Sequence, residues 1–410
     1  MKTIKFLIIF TISNLFINVS ISKDLIYSGF SLQGNFSHNK INYPMFSKLL
    51  NGNNEINLKL YELLKNKSNL LTSKSDDNEG YVVSFGLLTE NINFYKVNNL
   101  SKSEYVLYPQ VFIYDNKTKN FVSSISTRLH IPIASELEKK KSINDEAFEN
   151  YKLLILNPDP VITYNGRCSD KKDIKTSFMN IYSILLDCIN LSEINKFNLQ
   201  IRNIDLGDSG YINLPFIKNK NDVDALKYMI ANIGTAMSSS STYEDQFFML
   251  PYSKEQSIAN VQDRFTNTLN LTVSLPEPDF VIDIKIERTK KKIINENKVE
   301  ANVGYFIGIN YKILEPFSST VIFDSDFKYA IKIRYPKDLS TNSLNLSDQN
   351  NLFFYNRMFE ELIFKISSNI LIEKLSNDNK KWLKKHSKNS ETYNKSLKMH
   401  KNIANTFFNF

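Results

Sequence analysis

The sequence predicts an α+β protein with two possibly duplicated domains, each a mainly antiparallel sheet covered by helices. The first observation is an alternation of apolar residues at period two across residues 280–329, which places apolar side chains on one face of successive strands. The second is a similar alternation across residues 81–131. The third is the amphipathic spacing of segments 253–269 and 354–375, which we predict to be helices that cover the second sheet.

The two alternating regions match each other in spacing. Tyr105 follows Tyr81 by 24 residues, and Tyr305 follows Phe280 by 25 residues. A predicted helix precedes the three strands in both halves, so the pattern indicates an internal repeat of a strand, a helix and three strands. The alternative is that alternation alone aligns two unrelated meanders, and the sequence leaves both interpretations open.

Residues 1–22 are predicted to be a secretory signal peptide. Lys2 and Lys5 precede an apolar run over 6–21, and the run ends in small residues that favour cleavage after Ser22. An uncleaved membrane anchor is the alternative, because the run approaches the length that spans a bilayer. The protein is therefore expected to be secreted or periplasmic.

The N-terminal α+β domain is predicted to occupy residues 23–135. A strand over 25–32 comes first, and residues 44–65 have helical spacing in two pieces that are separated by Asn51-Gly52. Three strands then follow, over 81–87, 105–114 and 121–131.

A helical connecting segment with the cysteine pair is predicted over residues 136–198. Its first part is charged and forms either a helix or a linker, followed by a short strand at 151–156 and a helix that ends at Cys188. Cys168 and Cys188 are the only cysteines, and an even number in an exported chain favours a disulfide between them. The alternative is a buried thiol at Cys188 and an exposed one at Cys168.

The C-terminal α+β domain is predicted over residues 199–375. Its first helix begins at Asp222 and is expected to stop at the Ser238–Ser241 run. Ser253 and Gln256 form a capping-box pattern at the start of the predicted helix over 253–269.

Residues 376–410 are predicted to form a basic tail. The whole chain has a formal net charge of +8, and lysines are concentrated in this last segment. We expect a solvated or disordered end. The alternative is an amphipathic helix through which residues 376–410 bind an anionic membrane surface.

Motifs that carry catalysis or bind cofactors are missing from the sequence. It contains no Gly-x-Ser-x-Gly, no glycine-rich phosphate loop ending in Lys-Ser/Thr and no His-Glu-x-x-His. His38 and His130 are the only histidines outside the tail, and His130 falls on the polar side of a strand. We therefore predict no catalytic residue, cofactor or metal, and the basic residues lack the interleaved aromatics of a nucleic-acid surface.

These observations favour an exported, non-enzymatic protein that binds a protein partner as an accessory component of a cell-envelope or extracellular assembly. No motif is specific enough to name a family. The alternative is a secreted hydrolase of the acidic glycosidase type, with Glu244, Asp324 and Asp326 as the candidate carboxyl groups. Asp324 and Asp326 also form an oxygen-rich spot suited to weak calcium binding.

Overall fold

The computed structural model describes most of the chain after the predicted signal peptide. The residues described are 25–32, 39–50, 55–64, 70–71, 80–97, 100–136, 142–159, 161–164, 168, 173–189, 197–207, 217–242, 247–253, 257–261, 271–336, 348–372, 376–389 and 391–408. The predicted signal peptide, Glu244 and His38 lie outside these residues.

The N-terminal sheet contains six strands in the order β2-β1-β3-β4-β5, with β6 also paired to β4. Its strands are β1 (Leu25–Leu32), β2 (Leu70–Leu71), β3 (Tyr81–Val97), β4 (Leu100–Asp115), β5 (Phe121–Ser126) and β6 (Leu129–Glu136). The helices around it are α1 (Asn39–Asn42), α2 (Phe46–Leu50), α3 (Glu55–Leu64), α4 (Ile143–Leu156) and α5 (Phe178–Asp187). A short hairpin of β7 (Ile162–Tyr164) and β8 (Ile174–Thr176) precedes α5.

The C-terminal sheet contains five strands in the order β10-β9-β13-β14-β15. Its strands are β9 (Phe197–Leu206), β10 (Phe247–Met249), β13 (Phe280–Glu296), β14 (Glu300–Leu314) and β15 (Val321–Pro336), and β11 (Ser257–Val261) with β12 (Leu271–Ser274) forms a separate hairpin. The helices of this half are α6 (Lys220–Thr242), α7 (Asp348–Ile370), α8 (Asn377–His386) and α9 (Thr392–Phe408).

The two sheets have the same strand plan, and the predicted α+β class is confirmed. In each sheet the first long strand, β1 or β9, pairs in parallel with the strand that opens an antiparallel meander, β3 or β13. A short strand, β2 or β10, adds in parallel to the outer side of that first strand. In both halves, helices lie between the first strand and its short partner in the chain.

The helices α6 and α7 lie between the two sheets. α6 contacts β9 and β10 on one side and β3 and β5 on the other, while α7 contacts β14 and β15 as well as β3. One apolar core therefore includes Leu88, Val106 and Tyr108 of the N-terminal sheet together with the inner face of the C-terminal sheet. A second core fills the space between the opposite face of the N-terminal sheet and α3, α4 and α5.

Four local predictions are wrong. The predicted single strand over 121–131 is divided into β5 and β6, which pair with different parts of β4. Residues 151–156 belong to α4 instead of a strand, because Ala147, Tyr151 and Leu154 share one buried helical face. Residues 257–261 of the predicted 253–269 helix form β11. α6 continues through the serine run to Thr242, because the Ser238 hydroxyl is buried and hydrogen-bonded to Ser367 of α7 at 2.9 Å.

The basic tail is not a disordered end. α8 places Leu383 in the core and stacks Trp382 on Phe327 of β15, at 6.2 Å between ring centroids. The chain then pairs with the edge of β15 through a bridge between Ser387 and Phe327. Among the residues described, no helix is both long enough and apolar enough to cross a membrane.

Replacing Gly207 with alanine is expected to destabilise the fold by about 1–3 kcal/mol. A Cβ at Gly207 would lie 2.8 Å from the backbone oxygen of Ile286, which already accepts the Gly207 N–H at 2.8 Å. The pairing of β13 with β9 and β14 fixes that oxygen, so relief requires movement of the sheet. Gly308→Ala is the control, because its Cβ would meet only atoms at 3.8 Å or more. Equal denaturant midpoints for the two variants would refute the steric explanation.

Candidate functional site

Cys168 and Cys188 form a disulfide in the structure, with Cα atoms 5.4 Å apart. Cys188 caps the C-terminal end of α5, and Cys168 lies in the loop between β7 and β8. β8 is extended chain that leads from this loop back to the start of α5. The bond therefore joins the β7–β8 loop to the C-terminal end of the helix that follows it.

The disulfide is expected to contribute about 3 kcal/mol to stability, because it closes a loop with a sequence separation of 20 residues. We expect Cys168→Ser/Cys188→Ser to lower the free energy of unfolding by that amount in urea. The denatured, unreduced wild-type protein should show no reactive thiol. Detection of two reactive thiols would contradict the bond directly, and reduced wild type provides the control for the substitutions.

Asp324 and Asp326 lie on the outer face of the C-terminal sheet, which is the face turned away from α6 and α7. The side-chain amide of Asn310 donates to one oxygen of each carboxylate at 2.8 Å, so it occupies the space between them. Lys312 pairs with Asp324 at 3.7 Å, and Lys388 pairs with Asp326 at 3.2 Å. The two acids form a compensated surface network, which is a poor cation site.

The protonation of Asp326 also argues against acid catalysis. Partial burial acts to raise its pKa, but hydrogen bonds from Asn310 and Lys388 outweigh burial and hold the pKa below its usual value. A glycosidase acid needs a raised pKa. His130 contacts Glu104 at 3.3 Å on the opposite half of the molecule, so the structure does not bring the histidine and these acids together.

A buried polar junction, which sequence reasoning missed, lies at a bulge in β3. The bulge falls between the pair of Leu87 with Pro109 and the pair of Glu90 with Leu107 in β4. Pro109 has no N–H to donate. The free carbonyl of Leu88 accepts hydrogen bonds from Tyr43 at 2.9 Å and from Asn232 of α6 at 2.8 Å. The bulge also turns Glu90 toward the same side of the sheet as Leu87.

Glu90 connects three elements on one side of the N-terminal sheet. One carboxyl oxygen accepts the backbone N–H groups of Met45 at 2.5 Å and Phe46 at 3.0 Å, at the start of α2. The other accepts the hydroxyl of Tyr151 from α4. Burial raises the pKa of Glu90 to about 7, even though these donors favour the ionised form.

Glu360 of α7 connects the two halves from the other side of the sheet. Its carboxylate forms an ion pair with Arg128, which lies between β5 and β6, and accepts the hydroxyl of Tyr108 at 2.8 Å. The side chain is 3% exposed, and this burial raises its pKa against the opposing effect of Arg128. Asn91 adds a second link by donating to the backbone oxygen of Phe353 in α7 at 3.1 Å.

The junction holds the halves together, and the side chains of Glu90 and Glu360 are buried in it. Each of the four carboxyl oxygens has at least one protein partner. Among the described residues, no group of three or more histidine, cysteine, aspartate or glutamate side chains could hold a metal ion. We therefore interpret Glu90 and Glu360 as structural groups. A sequence signal existed: Thr89-Glu90-Asn91 interrupts the apolar alternation of β3.

An open groove of about 250 Å³ lies on the N-terminal sheet and involves β3, β4 and β6. It is lined by Tyr95, Lys102, Ser103, Glu104, Pro132, Ile133 and Ala134. Lys102 and Glu104 are its only charged side chains, and their charges are opposite. The groove therefore offers a shallow contact surface without a catalytic arrangement.

Comparisons with known proteins identify no family. No family model and no curated protein match this chain. Among solved structures, a Xanthomonas campestris protein of the DUF330 family is 10% identical, with 42% of this chain aligned to 82% of that chain at a TM-score of 0.22.

Two other solved structures are similar at the same level. A Helicobacter pylori protein described as a neuraminyllactose-binding hemagglutinin homologue is 10% identical, with 47% of this chain and 91% of that chain aligned and a TM-score of 0.25. A minor lipoprotein from Acinetobacter baumannii is 11% identical, with 43% and 91% aligned and a TM-score of 0.21. At these TM-scores the matches carry no argument about function.

Proposed function

We propose that this protein is an exported, non-catalytic accessory component of a cell-envelope or extracellular assembly and that it binds a protein partner. The observation that carries the proposal is the edge of β15. This strand is last in its sheet, and the described part of the tail contacts it over Asp324–Lys328, through residues 386–388 and through Thr392 and Lys395. Among the described residues, no strand lies beside the remainder, from Tyr329 to Pro336.

An uncovered edge strand supports this function because its free N–H and C=O groups can pair with a strand of another chain. The disulfide supports export, because disulfides persist in oxidising compartments. The compensated network around Asp324 and Asp326 favours binding over the hydrolase alternative.

Gentle purification from the native compartment tests the proposal. Light scattering measures the mass of the particle, and mass spectrometry identifies any stoichiometric companion. We expect a companion with the wild type, its loss with Ala330→Lys at the uncovered edge, and its retention with Val321→Lys, an exposed control in the same strand. Lysine blocks strand addition at an edge. A wild-type monomer without a companion would overturn the accessory function, and a companion kept by both variants would overturn the β15 contact.

A further inference from the structure

The outer face of the C-terminal sheet carries a cationic field around three residues of β14. Register places Gly308 between Arg288 and Lys328, and it places Gly304 between Lys292 and Lys332. Phe306 stands between the two glycines, with Lys290 and Ala330 on either side. We define the cationic field as Arg288, Lys290, Lys292, Lys328 and Lys332, all of which are exposed.

These five cations have no carboxylate partner among the described residues, in contrast to the other half of the same face. There Arg202 pairs with Asp283 at 2.6 Å, and Lys388 pairs with both Asp326 and Glu287. The hairpin end contains two acids, of which Glu300 forms an ion pair with Arg334 and Glu296 lies opposite the buried Ala301. The positive charge is therefore concentrated at the end of the face toward the β13–β14 turn.

An apolar tip lies next to the cationic field, at the β13–β14 turn. Ile293, Ile294 and Val299 are 43%, 53% and 69% exposed. Ile294 lies over the outer face, because its Cδ1 is 3.1 Å from the position of a Cβ built on Gly304. Exposed aliphatic side chains beside unpaired lysines match the two layers of an anionic bilayer, its acyl boundary and its headgroups.

We propose that the cationic field and the apolar tip form a docking surface for an anionic lipid membrane. The lysines contact lipid headgroups, and Ile293, Ile294 and Val299 enter the acyl boundary. A soluble polyanion would satisfy the lysines and leave the apolar tip in water, so the tip favours a bilayer as the occupant. This inference does not depend on the proposed protein partner.

The docking surface differs from the membrane contact that the lysine-rich tail suggests. Trp382 and Leu383 of α8 are directed at β15 and the core, so the apolar side of that helix is not available to enter a bilayer. Its lysines Lys381, Lys384 and Lys385 are exposed and provide a charge-matched control for the face.

Vesicle sedimentation with the full chain tests the proposal. The vesicles contain phosphatidylcholine alone or with a quarter phosphatidylserine. We expect binding only to the anionic vesicles, and a decrease of about 100-fold in Lys290→Gln/Lys292→Gln/Lys332→Gln, since each lysine near such a surface contributes about fivefold. Lys381→Gln/Lys384→Gln/Lys385→Gln should stay within about fivefold of wild type.

The apolar tip separates a membrane from a soluble polyanion. Ile293→Ser/Ile294→Ser should weaken vesicle binding at least about tenfold, because two aliphatic side chains no longer leave water. Binding of dextran sulfate should be unaffected by this change. The proposal fails if wild type does not bind anionic vesicles. It also fails if the Lys381/Lys384/Lys385 variant loses as much vesicle affinity as the Lys290/Lys292/Lys332 variant, or if Ile293→Ser/Ile294→Ser binds vesicles as tightly as wild type does. Thermal unfolding verifies that each variant is folded.

Discussion

Glu90→Leu is expected to lower the free energy of unfolding by about 3–5 kcal/mol, because it leaves buried donors without an acceptor. The Glu90 carboxyl accepts two backbone N–H groups, from Met45 and Phe46, and the Tyr151 hydroxyl. Leucine fills a similar volume but accepts none of these hydrogen bonds. The loss should therefore loosen α2 and α4 from the N-terminal sheet.

The pH dependence of stability gives a second test of Glu90. Its pKa rises from 4.5 to about 7 on folding, so the folded state binds more protons than the unfolded state between these values. Stability from this group is complete below about pH 4.5 and falls as the pH rises toward 7, by about 3 kcal/mol. Glu90→Gln cannot ionise, so the slope of its stability over this range should be smaller than that of wild type.

Urea denaturation of wild type, Glu90→Leu and Glu90→Gln at pH 5 and pH 8 measures both effects. Glu149→Leu is the matched control, because Glu149 is an exposed residue of α4, two positions before Tyr151. We expect this control to stay within about 0.5 kcal/mol of wild type. A Glu90→Leu variant as stable as the control, or a Glu90→Gln variant with the wild-type pH slope, would contradict the role of this carboxyl.

Arg128→Ala is expected to destabilise the protein by about 3–5 kcal/mol, because it leaves the Glu360 carboxylate buried without its cation. The pKa of Glu360 is already raised by burial and should rise further in the variant. The loss should therefore grow with increasing pH, since the folded state must then either hold a proton or bury an unpaired charge.

Arg202→Ala is the control for this effect. Arg202 forms two hydrogen bonds to one carboxylate, that of Asp283, and this pair lies half-exposed on the outer face. A surface pair of this kind contributes about 0–1 kcal/mol. Equal losses in Arg128→Ala and Arg202→Ala, measured by urea denaturation at pH 8, would refute the argument from burial.

Replacing Tyr108, Arg128 and Glu360 together with apolar residues distinguishes the destabilisation caused by an unpaired buried charge from the stabilisation that the ion pair itself provides. Tyr108→Phe/Arg128→Met/Glu360→Met removes the carboxylate together with both of its donors. Because no buried charge remains, we expect this triple variant to be more stable than Arg128→Ala. A triple variant less stable than Arg128→Ala would indicate that the ion pair itself stabilises the contact between α7 and the N-terminal sheet.

Period-two alternation predicted the long strands correctly, because each has one face in a core. Phe280, Ile282 and Ile284 point inward on β13, and Tyr305 and Ile307 do the same on β14. The pattern was insufficient where a segment is short. The apolar run over 151–156 was predicted as a strand but continues the helix that Ser142 caps. A short apolar run fits both the helical and the strand period, so only the preceding turns of α4 show that this run is helical.

The serine run in α6 is a second place where the local sequence was not sufficient to predict the structure. Ser238–Ser241 has low helix propensity, and the stop predicted there follows from that propensity. The helix continues because Ser238 faces Ser367 of α7 across a buried contact. The partner lies 129 residues away, and no local pattern reveals it.

The sequence by itself determined the α+β class and the matching spacing of the two sheets, and it favoured the pairing of its only two cysteines. These features depend on local periodicity and on a count, both of which a single chain displays. The tertiary structure alone decided the polar junction at Glu90 and Glu360, the docking of the tail on β15 and the position of the cationic field. Each depends on residues far apart in sequence whose proximity, burial and charge exist only after the sheets have paired and the helices have packed between them.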